Sequence, residues 1–439
     1  MIRIAMSGGM AMRIICSQFD MIKQYNKGLL WVSFLVVSCT GVETIVPSYD
    51  TASQDEDYPD NGIPVVEITT CDGKGITDKT TWKNATIMIN GAGDLQGMQV
   101  TQASLKGRGN STFKYPKKAF NVRFNDKRSL LGMPNSKKWV FLANYRDPTL
   151  LRNDVSLYLG RIFATALEWT PRGEFVDLVF NGNYVGNYYV CEKINVNKQH
   201  VDIEEMTSSD IEGEALTGGY LLEFDKYFDA ENRFRSTLCN IPIGIVSPSV
   251  ENCQSEHVAY IKSFVYEVES LLKGGRFQEL YEKYLDLPSF VDYYLMETFF
   301  GNKDFAAPHS VYLYKKRGGK MYAGPLWDFD YSTFYNANEG MNTKAWWYKF
   351  LLLDSHFVSS LKNRWAEISP LLESKALLYL EQKKNYIFLS AMDNFSHFPY
   401  NPEVNHNNLV DSSFLLAYKH MRYTLTQRVA YISERLSEL

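Results

Sequence analysis

Between Ile63 and about Ser255 the hydrophobic pattern is that of strands. VVEITT, ATIMIN and KAFNVRF alternate apolar with polar positions or run β-branched, and Gly, Asn and Asp punctuate them. FVDLVFNGNYVGNYYVCEKI, Phe175 to Ile194, predicts a hairpin turning on Asn-Gly-Asn, and TGGYLLEFD, Thr217 to Asp225, a further strand. One stretch breaks this rhythm: from Pro148 to Leu167, Leu151, Val155, Leu159 and Ile162/Phe163 recur at helical spacing, with Pro148 suited to a helix start. Beyond Ser255 the helical period dominates. HVAYIKSFVYEVESLLKGG ends on paired glycines, and LPSFVDYYLMETFFGN opens at Pro288-Ser289. SHFVSSLKNRWAEI, Leu371–Met392 and Leu415–Leu439 continue the helical theme. A hairpin, VYLYKKRGGKMYAGPLWDFD, interrupts them. The expected fold class is therefore α+β, with a strand-rich N-terminal half and a helix-rich C-terminal half.

The first 62 residues follow another pattern. Met21 to Cys39 carries Lys23 and Lys27, an apolar run from Gly28 to Val37, and a terminal VVSC. That is the layout of a secretory signal, too short for a membrane span, and the cysteine after small and aliphatic residues is similar to a bacterial lipobox. Residues 1–38 are read as the signal region, with translation starting at Met21. Residues 39–62 are read as an acidic linker tethered through lipidated Cys39, and 63–439 as the folded domain. This places the protein at the bacterial cell envelope, lipid-anchored, on the periplasmic or surface side of the outer membrane.

Charge and cysteines narrow the classes further. A net charge of -4 with no long Lys/Arg run offers no face for nucleic acid. The six cysteines include no CxxC pair and no histidine spacing fit for zinc.

Three constellations bear chemistry. Lys106 to Phe124 joins a turn, Arg108-Gly109-Asn110-Ser111, to Lys117 and Lys118 at the mouth of a strand, where alternation points only one lysine inward to neutralise phosphate oxygens. The plain alternative is a solvated basic strand edge. Asp304 follows a helix in GNKDFAAPHS, where it is either a turn residue or a general base held at the end of a rigid element. In WDFD, read as strand, Asp328 and Asp330 share a face with Phe329 opposite, and two such carboxylates repel unless a cation or a basic side chain sits between them, which favours a hard divalent metal.

Taken together, RGNSTFKYPKKAFNVRF, KKWVFLANYRDPTLLRND, NGNYVGNYYVCEKI, GGYLLEFD, FVDYYLMETFFGNKD and SVYLYKKRGGKMYAGPLWDFD resemble the CotH kinase family, named for spore-coat protein H, over about Arg108 to Asp330. The resemblance implies an atypical bilobal protein-kinase-like fold that moves phosphate from ATP to Ser or Thr of a protein, with Mg²⁺ or Mn²⁺. It implies Asp304 as catalytic base, Asp328 as metal ligand with Asp330 beside it, and Lys118, or else Lys117, on the phosphates. Arg108 faces the phosphates too, and Glu192 stands near the nucleotide. Arg152 and Asn153 fall where a kinase regulatory helix supplies an ion-pair partner, but arginine cannot pair a lysine. Two features depart from the kinase pattern. The fifth residue after Asp304 is His309 where a metal-binding asparagine is expected, and no GxGxxG loop is present. Two other readings follow from the residues: a pseudokinase acting as an envelope-binding or adhesive module, and a carbohydrate-binding or carbohydrate-active protein using Trp327, Trp346 and Trp347 as stacking platforms.

Overall fold

The computed structural model describes residues 60–404 and 412–439. The signal region, Cys39 and nearly all of the 39–62 linker lie outside the described residues. None of the described helices is long and apolar enough to cross a membrane.

The alternating segments of the first half close into a barrel. Its strands are β1 (Val65–Thr70), β2 (Lys83–Asn90), β3 (Met98–Arg108), β4 (Ala119–Arg128), β5 (Ser136–Leu142), β6 (Gly173–Phe180) and β7 (Asn183–Glu192). They follow the order β1-β2-β3-β4-β5-β7-β6. All neighbours are antiparallel except β1 and β6, whose parallel pairing, Val65 opposite Asp177 through Ile68 opposite Phe180, closes the ring. Alternation sends Ile87, Leu105, Val122, Trp139, Val176 and Tyr188 into one buried cluster. A barrel of this size is just filled by its own side chains, and closure leaves no strand edge exposed.

The second sheet has the order β12-β11-β8-β10-β9, built from β8 (Tyr220–Phe224), β9 (Arg233–Arg235), β10 (Pro242–Ser247), β11 (Val311–Lys315) and β12 (Met321–Ala323). Around it lie α1 (Arg152–Phe163), α2 (Gly213–Leu216), α3 (Ser255–Lys273), α4 (Phe277–Lys283), α5 (Leu287–Phe300), α6 (Tyr348–Leu351), α7 (Ser355–Tyr386), α8 (Phe388–His397) and α9 (Phe414–Ser437). At the centre is α5, buried along its length from Ser289 to Phe300, so it needs no polar face. Asp286 caps its start through Ser289 N–H at 3.0 Å, and Gly301, at φ +69°, ends it in the left-handed conformation that favours glycine.

The α+β class and the order of strands and helices agree with the pattern, and the structure corrects three details. The helix expected from Pro148 begins at Arg152, because Asp147 takes the N–H groups of Thr149 and Arg152 at 2.8 Å each and shapes 147–151 into an irregular turn. The expected segments SHFVSSLKNRWAEI and Leu371–Met392 are joined in one helix, α7, that runs through Pro370 to Tyr386, and the last residues of the second, Phe388–Met392, open α8. WDFD is not strand: the β11–β12 ladder ends at Ala323, and Asp328 has φ +69°. Among the described residues, Cys71, Cys191, Cys239 and Cys253 are all free thiols.

Candidate active site

Asp304 owes its position to α5. Beyond Gly301, the Asn302 side chain accepts from Asp304 N–H at 3.1 Å and donates to Glu297 at 2.9 Å, while Ser332 accepts from Lys303 N–H at 2.9 Å. On its other side Phe305 is wholly buried among Tyr293, Tyr294, Trp346 and Tyr348. Asp304 thus sits between a polar anchor and an apolar one. Its carbonyl accepts from His309 N–H at 3.0 Å, closing the 304–309 turn.

Asp328 and Asp330 are placed by α1. Asn153 accepts from Phe329 N–H at 2.8 Å, and Phe329 is buried edge-on against Phe300 at 5.1 Å. The two aspartates flanking Phe329 both line the cavity. The segregation expected of a strand is therefore achieved by a left-handed residue and a buried phenylalanine. Beside Asn153, Arg152 is fully buried; it pairs with Asp147, donates to Thr333 O at 2.7 Å and stacks on Tyr335 at 3.8 Å. Its partner is thus an aspartate, and both residues of the LLRND motif brace the 327–335 segment.

These elements enclose a cavity of about 640 Å³, within the range of small-molecule sites. From the barrel side it is lined by Lys79, Lys106, Arg108, Lys117 and Lys193, a basic wall; the rest of the chain supplies Glu223, Asp225, Asp229, Asp304, Asp328 and Asp330, an acidic wall in which Arg146 and Lys226 also stand. Burial and the Asp328 charge push the Asp304 carboxyl up to about 6, against the opposing pull of Lys226 and Arg146. Burial and Asp328 likewise raise Asp330. Glu223, which accepts from Tyr312 Oη at 2.7 Å, is raised to about 7 by burial, with Asp225, Asp229 and Asp328 adding to the effect. On the basic wall, burial together with Arg108, Lys138 and Lys106 lowers Lys193 to about 8.

Of the residues singled out in the sequence, Arg108, Lys117, Asp304, Asp328 and Asp330 line this cavity, and Lys118 and Glu192 do not. Lys118 Nζ instead donates to Phe113 O at 2.7 Å beneath the Phe113 ring. Lys117 is 2% exposed, and its three N–H donors are all taken, by Ala143 O at 2.8 Å, Asn394 Oδ1 at 2.7 Å and Asn187 O. With no carboxylate in contact, burial lowers it to about 7. Glu192 is sealed behind the wall, accepting from Arg172 N–H at 2.8 Å, with His200 Nε2 3.6 Å away. Its neighbour Lys193 lines the cavity instead. Sequence reasoning passed over Lys193 and Glu223; the period of two in TGGYLLEFD, which opposes Glu223 to Leu222 and Phe224, is the signal that points Glu223 away from the apolar face.

His309 also lines the cavity, its ring edge-on to Tyr227 at 4.9 Å and its Nδ1 3.4 Å from Asp225. Burial and Lys226 lower it to about 4, so the imidazole is neutral near pH 7. Trp346 and Trp347 are 5% and 0% exposed inside the core, which removes them as sugar-stacking platforms. Trp327 lines the cavity, with the Arg108 guanidinium over its ring at 5.7 Å.

The chain belongs to the CotH kinase protein family, whose model matches residues 105–379. That span takes in β4–β7, the second sheet, α1–α6 and most of α7, and contains every carboxylate of the acidic wall. No curated protein matches the chain.

Proposed function

We propose that the protein transfers a phosphoryl group from ATP to a serine or threonine hydroxyl of another protein, with a bilobal division of labour like that of protein kinases. The observation that carries this reading is the mixed charge of the cavity: barrel cations and the carboxylates of the second sheet, the Asp304 loop and the 328–330 segment line one space, and phosphoryl transfer needs both. Asp304, held on a braced loop, accepts the proton of the acceptor hydroxyl. Arg108 and Lys193 contact the phosphates, as a planar fork and a point charge. Lys117, with every donor engaged, holds β7, α8 and the 143–145 segment together instead.

Asp328 and Asp330 are the residues to hold a divalent cation. Among the described residues no three His, Cys, Asp or Glu side chains form a ready metal cage. Mg²⁺ and Mn²⁺ bind through one or two carboxylates plus substrate phosphates and keep several waters. The oxygen donors, and the mutual elevation of Asp304 and Asp330 around Asp328, fit a hard cation. Once bound, such a cation neutralises charge developing on the transferred group.

Purified protein with γ-labelled ATP and Mg²⁺ or Mn²⁺ should label a generic protein substrate, and Asp304→Asn should abolish the labelling. Nucleotide-dependent thermal stabilisation without any turnover would instead assign the chain to the pseudokinases, the reading that His309 favours.

A further inference from the structure

Glu297, on α5, takes no part in the cavity lining and is only 1% exposed. Its carboxyl Oε2 accepts from Asn302 Nδ2 at 2.9 Å, and its carbonyl accepts from Asn302 N–H at 3.2 Å. The Asn302 amide can stand only one way round. Its Oδ1 accepts from Asp304 N–H at 3.1 Å and from Ser332 Oγ at 3.4 Å, so Nδ2 needs an acceptor on the other side. Glu297 is that acceptor. With the amide turned over, its NH₂ would meet the Asp304 N–H, donor against donor.

The charge of the Glu297 carboxyl follows from its surroundings. Among the described residues, the groups that act on it are Asp304, the Asn302 amide and Tyr293 of the same helix, and no lysine, arginine or histidine. Tyr348 of α6 faces it as well. An anion there would be buried without a cation, which is costly. Glu269 provides a contrast within the fold. It is likewise buried, but its carboxyl receives the N–H groups of Leu238 and Cys239 at 3.0 Å each and Trp347 Nε1 at 3.2 Å. Glu297 has instead the Asn302 amide and the Tyr293 hydroxyl, and a hydroxyl, unlike an N–H, accepts as well as donates. Burial, with the Asp304 charge adding to it, raises the Glu297 carboxyl to about 8 against the pull of Asn302 and Tyr293.

We propose that Glu297 is a positioning residue for the base, a neutral carboxylic acid whose oxygen sets the Asn302 amide and thereby the backbone of Asp304; its effect on turnover rests on the phosphoryl-transfer reading above. Neutrality matters to the role. A second anion beside Asp304 would hold its proton on to higher pH, whereas an uncharged acid braces the loop and leaves Asp304 to titrate at about 6.

The test compares two variants of the full chain: Glu297→Gln keeps the acceptor and cannot ionise, and Glu297→Leu removes it. A carboxyl raised in the folded state favours unfolding as pH climbs from its ordinary value of 4.5 to about 8. In thermal melts the Gln variant should therefore gain on wild type across that window and keep a constant lead above it. A difference that stays flat, or that turns against the Gln variant as pH rises, overturns the neutral acid. In transfer from γ-labelled ATP to a generic protein substrate, the Gln variant should keep kcat within about threefold, whereas the Leu variant should lose about 10–100-fold in kcat at unchanged KM for ATP. The Gln variant should also keep the pH inflection of wild type. Wild-type kcat in the Leu variant, or equal losses in both, overturns the positioning role. If the Leu variant fails to fold, a Gln variant whose inflection moves to lower pH overturns it, since an anion had then been removed. Wild-type protein that transfers no phosphate overturns the phosphoryl-transfer reading and the effect on turnover with it, while the melts, which need no turnover, still decide the neutral acid.

Discussion

The two walls of the cavity are built by different means. Arg108 lies at the end of β3, paired with Ala119 of β4, and Lys193 directly follows β7, where Glu192 pairs with Trp139 of β5. The basic wall therefore rests on the backbone ladder of a closed barrel, which no single side chain supports. On the acidic wall Glu223 is carried by the β8 ladder, but Asp304, Asp328 and Asp330 rest on individual side chains. Asn302 holds Asp304, Asn153 holds the backbone between Asp328 and Asp330, and Arg428 holds the end of α5. Arg428 is fully buried on α9; it donates to Phe299 O at 3.0 Å, Ala337 O at 2.8 Å, and the carbonyls of Thr298 and Glu339. Those carbonyls include ones that a helix C-terminus leaves unpaired. Substitutions on the acidic side should thus act through structure as well as chemistry, and those on the basic side through charge alone.

The largest effects are expected at the carboxylates to which the proposed transfer assigns the base and the cation. Asp304→Asn removes the base without changing shape and should lower kcat/KM by about 10²–10⁴-fold, the usual worth of general base catalysis. Asp328→Asn should abolish turnover to a similar degree, with melting temperature unchanged or raised, because a charge that repels Asp330 and Asp304 is gone. In the wild type, kcat/KM should climb about tenfold per pH unit up to about 6 and then level, because Asp304 must lose its proton to act and burial holds that proton up to about 6. A flat profile across pH 5–7 would remove Asp304 from the role.

Next in size is the brace. Arg428→Met empties one end of a network that satisfies several buried carbonyls, and each orphaned group costs about 1–3 kcal/mol. Urea unfolding should show a loss of about 3 kcal/mol or more, and Arg428→Lys should recover little of it, since a three-donor ammonium cannot reproduce the planar fork. Stability within about 0.5 kcal/mol of wild type would show that the acidic wall does not depend on single side chains, and would erase the contrast with the barrel.

How much of this was legible in the sequence follows from the range of each interaction. The strands, the Asn-Gly-Asn hairpin and α5 are set by neighbours a few residues apart, and the pattern shows them. Barrel closure depends on Val65–Ile68 meeting Asp177–Phe180 in parallel, a pairing of distant segments that leaves no local mark. WDFD alternates like a strand, yet Asn153 fixes the Phe329 backbone from α1 and Asp328 turns left-handed. The lysine pair shows the same limit. Alternation says that Lys117 and Lys118 part company, and they do, but it cannot say that the inward one meets three carbonyl oxygens rather than a cavity. Lys193 was hidden by its neighbour: Glu192 drew attention in CEKI, and the next residue is the one at the cavity.

On the basic wall the expected effects are smaller and confined to binding. Arg108→Ala or Lys193→Ala each removes a charged phosphate contact worth about 1.5–3 kcal/mol, so nucleotide affinity should fall roughly 10–100-fold. Stability should hold, since the ladder beneath is intact. Isothermal titration with a non-hydrolysable ATP analogue, run beside thermal melts, separates the two. A large drop in melting temperature for either variant would mean that this wall, too, depends on side chains.

The smallest effect sharpens the comparison most. Lys118 and Lys193 are both cations of the barrel, and the family resemblance favours the first while the cavity contains the second. Lys118 already spends its ammonium on Phe113 O and the Phe113 ring, away from the cavity lining. Lys118→Ala should therefore leave nucleotide affinity within about threefold and cost no more than the roughly 0.5–1.5 kcal/mol of one hydrogen bond. Lys193→Ala, measured in the same titration, should differ from it by at least the margin of a charged contact. If the two variants exchange places, with affinity lost at Lys118 and kept at Lys193, then the 109–118 turn must rearrange when nucleotide binds. The basic wall would then be the mobile one.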